Sequence, residues 1–189
     1  MIAEINPSLV KINNDSNIYY LKDLDLIIDA GNNAFREQTI REINKVCDPK
    51  SIKIVIFTHL HYDHIGCYDI FENAKFFASK KEIEFLHKDR MGTILNEKLS
   101  QKFNIELQDV NKSGLPENFE IIDTPGHTIG GICIYDKKNK ILFSGDTLFF
   151  NGTYGRYDLP NSTKEGLFKS LELLKKLDIE ILCPGHNYW

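Results

Sequence analysis

One short segment restricts this chain more than any other. Ile52–Phe57, apolar except at Lys53, runs directly into Thr58-His59-Leu60-His61-Tyr62-Asp63-His64. A nearly continuous apolar run of this length fits a strand buried on both faces. Alternate side chains of a strand share a face, so His59 and His61 leave the sheet on the same side. The turn that follows can swing Asp63 and His64 onto an adjoining position. One tetrahedral ion takes about four ligands. With the later histidines added, the pattern suits two ions better than one.

Five of the six histidines sit in short turns rich in glycine or histidine: His59, His61, His64, His127 and His186. Thr124-Pro125-Gly126-His127-Thr128 follows a strand expected at Phe119–Asp123, and Cys183-Pro184-Gly185-His186 follows one expected at Glu180–Leu182. Each histidine thus stands on a sharp turn at a strand's carboxyl end, where α/β sheets commonly assemble sites. His87 lies in the amphipathic stretch 83–89 without a partner and is read as structural. Asp146 ends the apolar run 141–145, in which Gly145 lets the backbone approach a ligand closely. Its two oxygens suit it to bridge two cations; a helix N-cap is its other available role.

Further strands are expected at 17–21 and 24–29, joined as a hairpin through Lys22-Asp23, and at 131–135 and 141–143. Helical periodicity covers Ala34–Val46 and Ile83–Phe103, the latter broken near Gly92 into two short helices. Ser162-Thr163-Lys164-Glu165 reads as a capping box, with Ser162 as the cap, ahead of an apolar stripe at Leu167, Leu171 and Leu174. Strands alternating with helices in each half predict an α/β layered fold. The chain of 189 residues reads as one domain of two halves, 1–189, with a junction near residue 113 at Asn111-Lys112-Ser113-Gly114.

Charge narrows the partners. The net charge is −4 and the lysines are interleaved with acids, so no basic field invites nucleic acid or an anionic membrane. No run approaches the roughly 18 apolar residues of a membrane helix, and Asn6, Pro7 and the segment 13–17 interrupt any signal-peptide core. The four cysteines are scattered without a CxxC pair, which argues against a thiolate zinc knuckle and for reduced thiols in a cytoplasmic protein. Cys67, three residues after His64, is read as a buried structural thiol.

Taken in order, the HxHxDH run, the later His127, Asp146 and the final His186 resemble the metallo-β-lactamase-fold superfamily. The likeness extends from Ile27-Ile28-Asp29-Ala30-Gly31 to Pro184-Gly185-His186. It implies a four-layer αβ/βα sandwich with the metals at the rim between two sheets. By motif, His59, His61 and His127 would hold a first ion and Asp63, His64 and His186 a second, with Asp146 between them. Asp29 matches a buried acid beneath the site. Asp63 would also be catalytic, orienting a hydroxide that bridges two divalent ions, zinc first, with iron and manganese as alternatives. The implied activity is hydrolysis by that hydroxide.

Gly155-Arg156-Tyr157-Asp158-Leu159-Pro160, followed by the capped helix, resembles the glyoxalase II-like branch, whose members cleave thioesters. That branch's C-terminal glutathione-binding domain is not expected, because the chain ends at Trp189. Its basic and aromatic glutathione contacts have no clear match in the segment 148–153. An ester or thioester of a small molecule is therefore the expected substrate class. Lactonases of the fold place a tyrosine where this chain has Phe149. Flavodiiron proteins carry a glutamate where it has His61, and its 39 residues between Asp146 and His186 leave little space for a nuclease's added domain. The alternative on the same scaffold is a mononuclear iron persulfide dioxygenase using His59, His127 and Asp146. Residues 80–112 are expected to border the pocket, with Phe85, Met91, Ile94, Leu95 and Phe103 as candidate lining and sheet packing as the role of most. Tyr154 and Tyr157 are candidate hydrogen-bond or proton donors.

Overall fold

Polar and apolar residues do not alternate along the central strands, because both faces of those strands are covered. A computed structural model describes residues 1–187; the chain end at Trp189, on which the expectation about a further domain rests, lies outside them. The first sheet holds β1 (Ile2–Asn6), β2 (Leu9–Ile12), β3 (Ile18–Leu21), β4 (Leu26–Ile28), β5 (Ile54–Ile56), β6 (Lys75–Ala78) and β7 (Leu107–Asp109), in sequence order. Its strands pair antiparallel from β1 to β4 and parallel from β4 to β7. In the second sheet, β8 (Phe119–Asp123), β9 (Ile132–Asp136) and β10 (Ile141–Gly145) are antiparallel, and β11 (Ile181–Pro184) joins β10 in parallel. The chain passes from one sheet to the other between Asp109 and Phe119.

Consecutive side chains go to different cores. Tyr19, Leu21, Leu26, Ile28 and Ile56 of the first sheet meet Ile132, Ile134, Ile141 and Phe143 of the second between the sheets. Ile18, Tyr20, Ile27 and Val55 point the other way, under a helical layer that contributes Ile43, Leu86 and Ile94. Those three come from α1 (Arg36–Ile43), α3 (Lys80–Lys88) and α4 (Arg90–Ile94). The first half holds two other helices, α2 (Tyr62–Ile65) and α5 (Glu97–Lys102). Beyond the second sheet, Cys133, Tyr135 and Leu142 pack with Leu174 of α6 (Lys164–Leu174). The result is the expected αβ/βα sandwich of four layers. Among the described residues no helix is long and apolar enough to cross a membrane.

Three local expectations are corrected. The 83–103 stretch forms three helices, not two, and Gly92 lies inside α4 rather than at a break. Asp89 caps α4 by accepting from Gly92 N at 3.0 Å, and a Cβ at Gly92 would come within 2.1 Å of that carboxylate. The breaks fall at Asp89 and at Leu95, which is left-handed at φ 60°. The cap of α6 is Thr163 rather than Ser162, whose hydroxyl instead donates to the Leu159 carbonyl at 2.6 Å. Glu165 does not reach back; it pairs forward with Lys169 at 2.7 Å. Finally, α1 is shorter than 34–46, because residues 33–35 form a tight turn capped by Asn32.

Candidate metal centre

Four strand ends converge on one rim between the sheets. His59 and His61 follow β5, and the single turn of α2 carries Asp63 and His64. From the other sheet, His127 follows β8, Asp146 follows β10 and His186 follows β11. All seven sequence-predicted ligands are thereby brought together. Their donor atoms form three overlapping groups, His59/His61/His127, His59/His64/Asp146 and Asp63/His64/His186, each with all atoms within 4.8 Å of one another. Asp146 stands between the outer two groups. Its Oδ1 lies 3.2 Å from His64 Nε2, and its Oδ2 lies 3.3 Å from His127 Nε2 and 3.5 Å from His186 Nε2.

The far side of each ring decides which nitrogen faces the cluster. His127 Nδ1 donates to the Arg156 carbonyl at 2.7 Å and His186 Nδ1 to the Asp15 carbonyl at 2.9 Å. A carbonyl only accepts, so both rings carry the Nδ1 proton and turn Nε2 toward the cluster. His64 Nδ1 lies 2.8 Å from Asp29 Oδ2, which fixes that ring in the same sense. Thr58 supports both acid and imidazole. Its N–H and hydroxyl donate to the two Asp29 oxygens at 2.8 Å each, leaving its oxygen 3.1 Å from His59 Nδ1 as an acceptor. Asp29 thus sits under the site as the resemblance implied, held in a left-handed conformation at φ 58°.

These residues fit a metal on the structure's own terms. His59 Nε2, His61 Nε2, His64 Nε2 and Asp146 Oδ1 are buried without a hydrogen-bond partner. Buried polar atoms are rarely left so, and His59 Nε2, His64 Nε2 and Asp146 Oδ1 belong to a set of histidine and carboxylate donors that suits a divalent cation. Without a cation the cluster is electrostatically divided. Burial and the neighbouring imidazoles hold His59 far below the usual imidazole range, and burial with His127 holds His61 down to about 3. Burial also pushes down on His64, but the carboxylates of Asp146, Asp29 and Asp63 outweigh it and raise the ring well above its ordinary value. His186 is raised in the same way by Asp63 and Asp146 against its own burial. Asp146 resists burial and is lowered by His64 and His127.

Glycine at 185 is a spatial requirement. A Cβ there would lie 2.2 Å from Asp146 Oδ1 and 2.8 Å from His64 Cε1. One supporting residue escapes sequence reasoning: Glu82 of α3, only 2% exposed, accepts from Leu60 N at 3.0 Å and Gly130 N at 3.2 Å. It therefore ties the turn bearing His59 and His61 to the turn bearing His127. In the sequence it looks like any acid in an amphipathic helix; the one available signal was its place three residues after Ser79, its helix's cap.

A cavity of about 510 Å³ opens over the cluster, lined by five of the ligands and by Leu95, Phe149, Tyr154 and Leu159. Of the candidate lining residues in 80–112 only Leu95 reaches it; Ile94 and Phe103 are core, and Met91 is exposed. Tyr154 borders the cavity, whereas Tyr157 stands behind it, 6.4 Å from the Tyr154 ring. Cys67 is buried, and burial pushes its thiol up to about 11, in keeping with a structural role.

Comparison with known proteins points the same way. A family profile described as the metallo-beta-lactamase superfamily matches residues 13–186. A probable metallo-hydrolase of Methanocaldococcus jannaschii is 30% identical, over 86% of this chain and 82% of that protein. A hydroxyacylglutathione hydrolase of Haemophilus influenzae is 32% identical, over 85% of this chain and 79% of that protein. A metallo-beta-lactamase family protein from Thermus thermophilus shares the fold at a TM-score of 0.76 and 16% identity, over 98% of this chain and 75% of that one.

Proposed function

Because this chain belongs to the metallo-beta-lactamase superfamily of hydrolases, we propose that its seven ligands hold two divalent ions and that it cleaves an ester or thioester of a small molecule. One observation carries the reading: buried imidazole nitrogens and a carboxylate oxygen without hydrogen-bond partners, in overlapping three-donor groups. Zinc is the proposed metal, since histidine and carboxylate donors suit it; iron and manganese accept the same donors. Bound ions supply an activated water near neutral pH and polarise the substrate's carbonyl.

The chain's own residues do the rest. Asp63 reaches the cavity with its side chain 14% exposed, where it accepts a hydrogen bond from the attacking water and orients it. His64 and His186 hold Asp63 ionised by lowering its carboxyl against the effect of burial. Leu95, Phe149 and Leu159 give the acyl portion an apolar wall that keeps bulk water off it. Apart from the ligands, the cavity lining contains no histidine or carboxyl group among the described residues, and its hydroxyl donors are Tyr62, Thr153 and Tyr154. A thiolate or another stable leaving group needs no such donor, which favours thioesters over amides. The likeness to a hydroxyacylglutathione hydrolase, whose name describes a thioester substrate, supports the same choice. Four free thiols suit a reducing, cytoplasmic setting, and no nucleic-acid or membrane partner belongs to the proposal. A mononuclear iron site on His59, His127 and Asp146 would leave Asp63, His64 and His186 converging without a task, and it is not favoured.

The test is metal analysis of chelator-free protein beside a panel of esters and thioesters. Two zinc per chain, hydrolysis abolished by chelation, and metal and activity lost together in Asp146→Ala are the expected results. One ion per chain, or undiminished metal in Asp146→Ala, would refute the binuclear reading; no turnover of any panel member would refute the substrate class.

A further inference from the structure

A second cavity, of about 600 Å³, lies beside the first, and Tyr62 lines both. The consecutive residues Leu95 and Asn96 also face one cavity each, so the turn between α4 and α5 borders the two. The chemistry of the second cavity differs from that of its neighbour. It has no metal-ligand cluster, and the charged side chains that line it are Arg36, Lys98, Lys102 and Asp69. Arg36 pairs with Asp69. Neither Lys98 nor Lys102 forms an ion pair with a carboxylate among the described residues, although the chain as a whole is net −4.

Lys98 and Lys102 are four residues apart on α5, so they stand on one face of that helix. Two like charges in that relation repel each other modestly, and a shared anion relieves the repulsion. Asn33 and Asn96 border the same space; Asn96 Oδ1 caps α5 by accepting from Leu99 N at 2.9 Å, so its amide N–H groups are the part that can donate to a ligand. A carboxylate or phosphate with several acceptor oxygens is the ligand that such a lining matches.

We propose that this groove is an anion-binding subsite of the hydrolase, taking a phosphate or carboxylate carried by the substrate whose acyl bond lies over the metal cluster, with Tyr62 between the two. The subsite rests on the hydrolase reading above and names one feature of its substrate, an anionic group remote from the bond that is cut. A substrate of this kind has an apolar part against Phe149 and Leu159 and a charged part beside Lys98 and Lys102.

The test uses metal-loaded protein and two pairs of thioesters. In one pair the anion is on the thiol side, acetyl-4′-phosphopantetheine against acetyl-pantetheine. In the other it is on the acyl side, glutaryl-pantetheine against butyryl-pantetheine. Wild-type protein is expected to prefer the anionic member of at least one pair in kcat/KM. In Lys98→Ala/Lys102→Ala that preference should fall about tenfold, from a few-fold per lysine, and high salt should erode it in the wild type. Both lysines are exposed, so the variant folds; Lys176→Ala, elsewhere on the surface, controls for loss of general charge. Equilibrium binding of the thioethers S-methyl-4′-phosphopantetheine and S-(4-carboxybutyl)pantetheine, measured by calorimetry, reads the subsite without turnover. If no thioester is hydrolysed but binding still depends on the lysines, the hydrolase reading fails and the subsite stands. Turnover and binding whose anionic preference is the same in the double variant as in the wild type would overturn the subsite and leave the hydrolase reading intact.

Discussion

Gly185 shows how little room lies under the ligands. Its φ is not in the left-handed region, so alanine is acceptable to the backbone, and the obstacle is the 2.2 Å approach of a Cβ to Asp146 Oδ1. Gly185→Ala should therefore keep its far-UV circular dichroism while metal affinity falls about 10–100-fold, as for other residues that orient ligands; equilibrium dialysis against zinc reads it. The histidines make a pH prediction. His59 and His61 are depressed, so the unfolded chain takes up protons below the ordinary imidazole value of 6.5 that the fold does not, and stability falls on the acid side. His64 and His186 are raised, so the fold holds protons above 6.5 that the unfolded chain has lost, and stability falls as pH rises through their folded values. Chelated protein should thus melt highest near pH 6.5, and lowered Asp63 and Asp146 steepen the acid limb below 3.8. Zinc held by His64 and His186, as proposed, would displace their protons, so the stabilisation it adds should grow with pH. Melting curves with and without chelator across pH 4–9 check this; a metal increment that shrinks with pH would contradict it.

At the scale of elements, the first turn of α3 adds a second link between two loops that already meet at His61 and His127, 2.9 Å apart. Besides the Glu82 carboxylate, Ser79 Oγ donates to the Gly130 carbonyl at 2.5 Å. Glu82→Ala would leave the Leu60 and Gly130 amides buried and unsatisfied, at about 1–3 kcal/mol each. We expect a loss of about 2–4 kcal/mol in denaturant titration, with metal occupancy falling alongside; a neutral effect would show that water replaces the carboxylate. Such links also explain which elements the sequence revealed. The strand before His59 and the stripe of α6 were legible because burial on two faces or on one leaves a long apolar run or a helical period. By contrast β7, Leu107-Gln108-Asp109, is three half-buried residues whose pairing with β6 comes entirely from its neighbour. The seven candidate ligands were legible because imidazole and carboxylate are informative side chains. The carbonyls of Asp15 and Arg156 that orient His186 and His127 are backbone atoms and carry no residue signal, and Glu82 becomes special only once α3 is docked.

For the molecule as a whole, the inter-sheet core draws on both halves of the chain, with Leu21, Ile28 and Ile56 packed against Ile134, Ile141 and Phe143. Each half also packs its own helical layer, but the face that each sheet buries between them is shared, so chelated protein should unfold in a single calorimetric transition at coincident temperatures by fluorescence and circular dichroism. Two transitions would mean that the halves are separate domains. The candidate metal centre spans that same interface, so a divalent ion bound there would stabilise the whole assembly and not one sheet. The hold of Arg156 on His127 has a further consequence. The contact is made through a main-chain oxygen, so the loop that walls the cavity supports the ligand by its path and not by its side chains. Its residues can then diverge without disturbing the candidate ligands, except at Gly155, where a Cβ would lie 2.2 Å from the Asp146 carbonyl and 2.9 Å from His127 Nδ1, and at Phe149, whose ring meets that of His186 at 6.1 Å. Selectivity and reactivity are separately heritable in such an architecture, and a library confined to that loop should yield variants with new substrates and an unaltered centre.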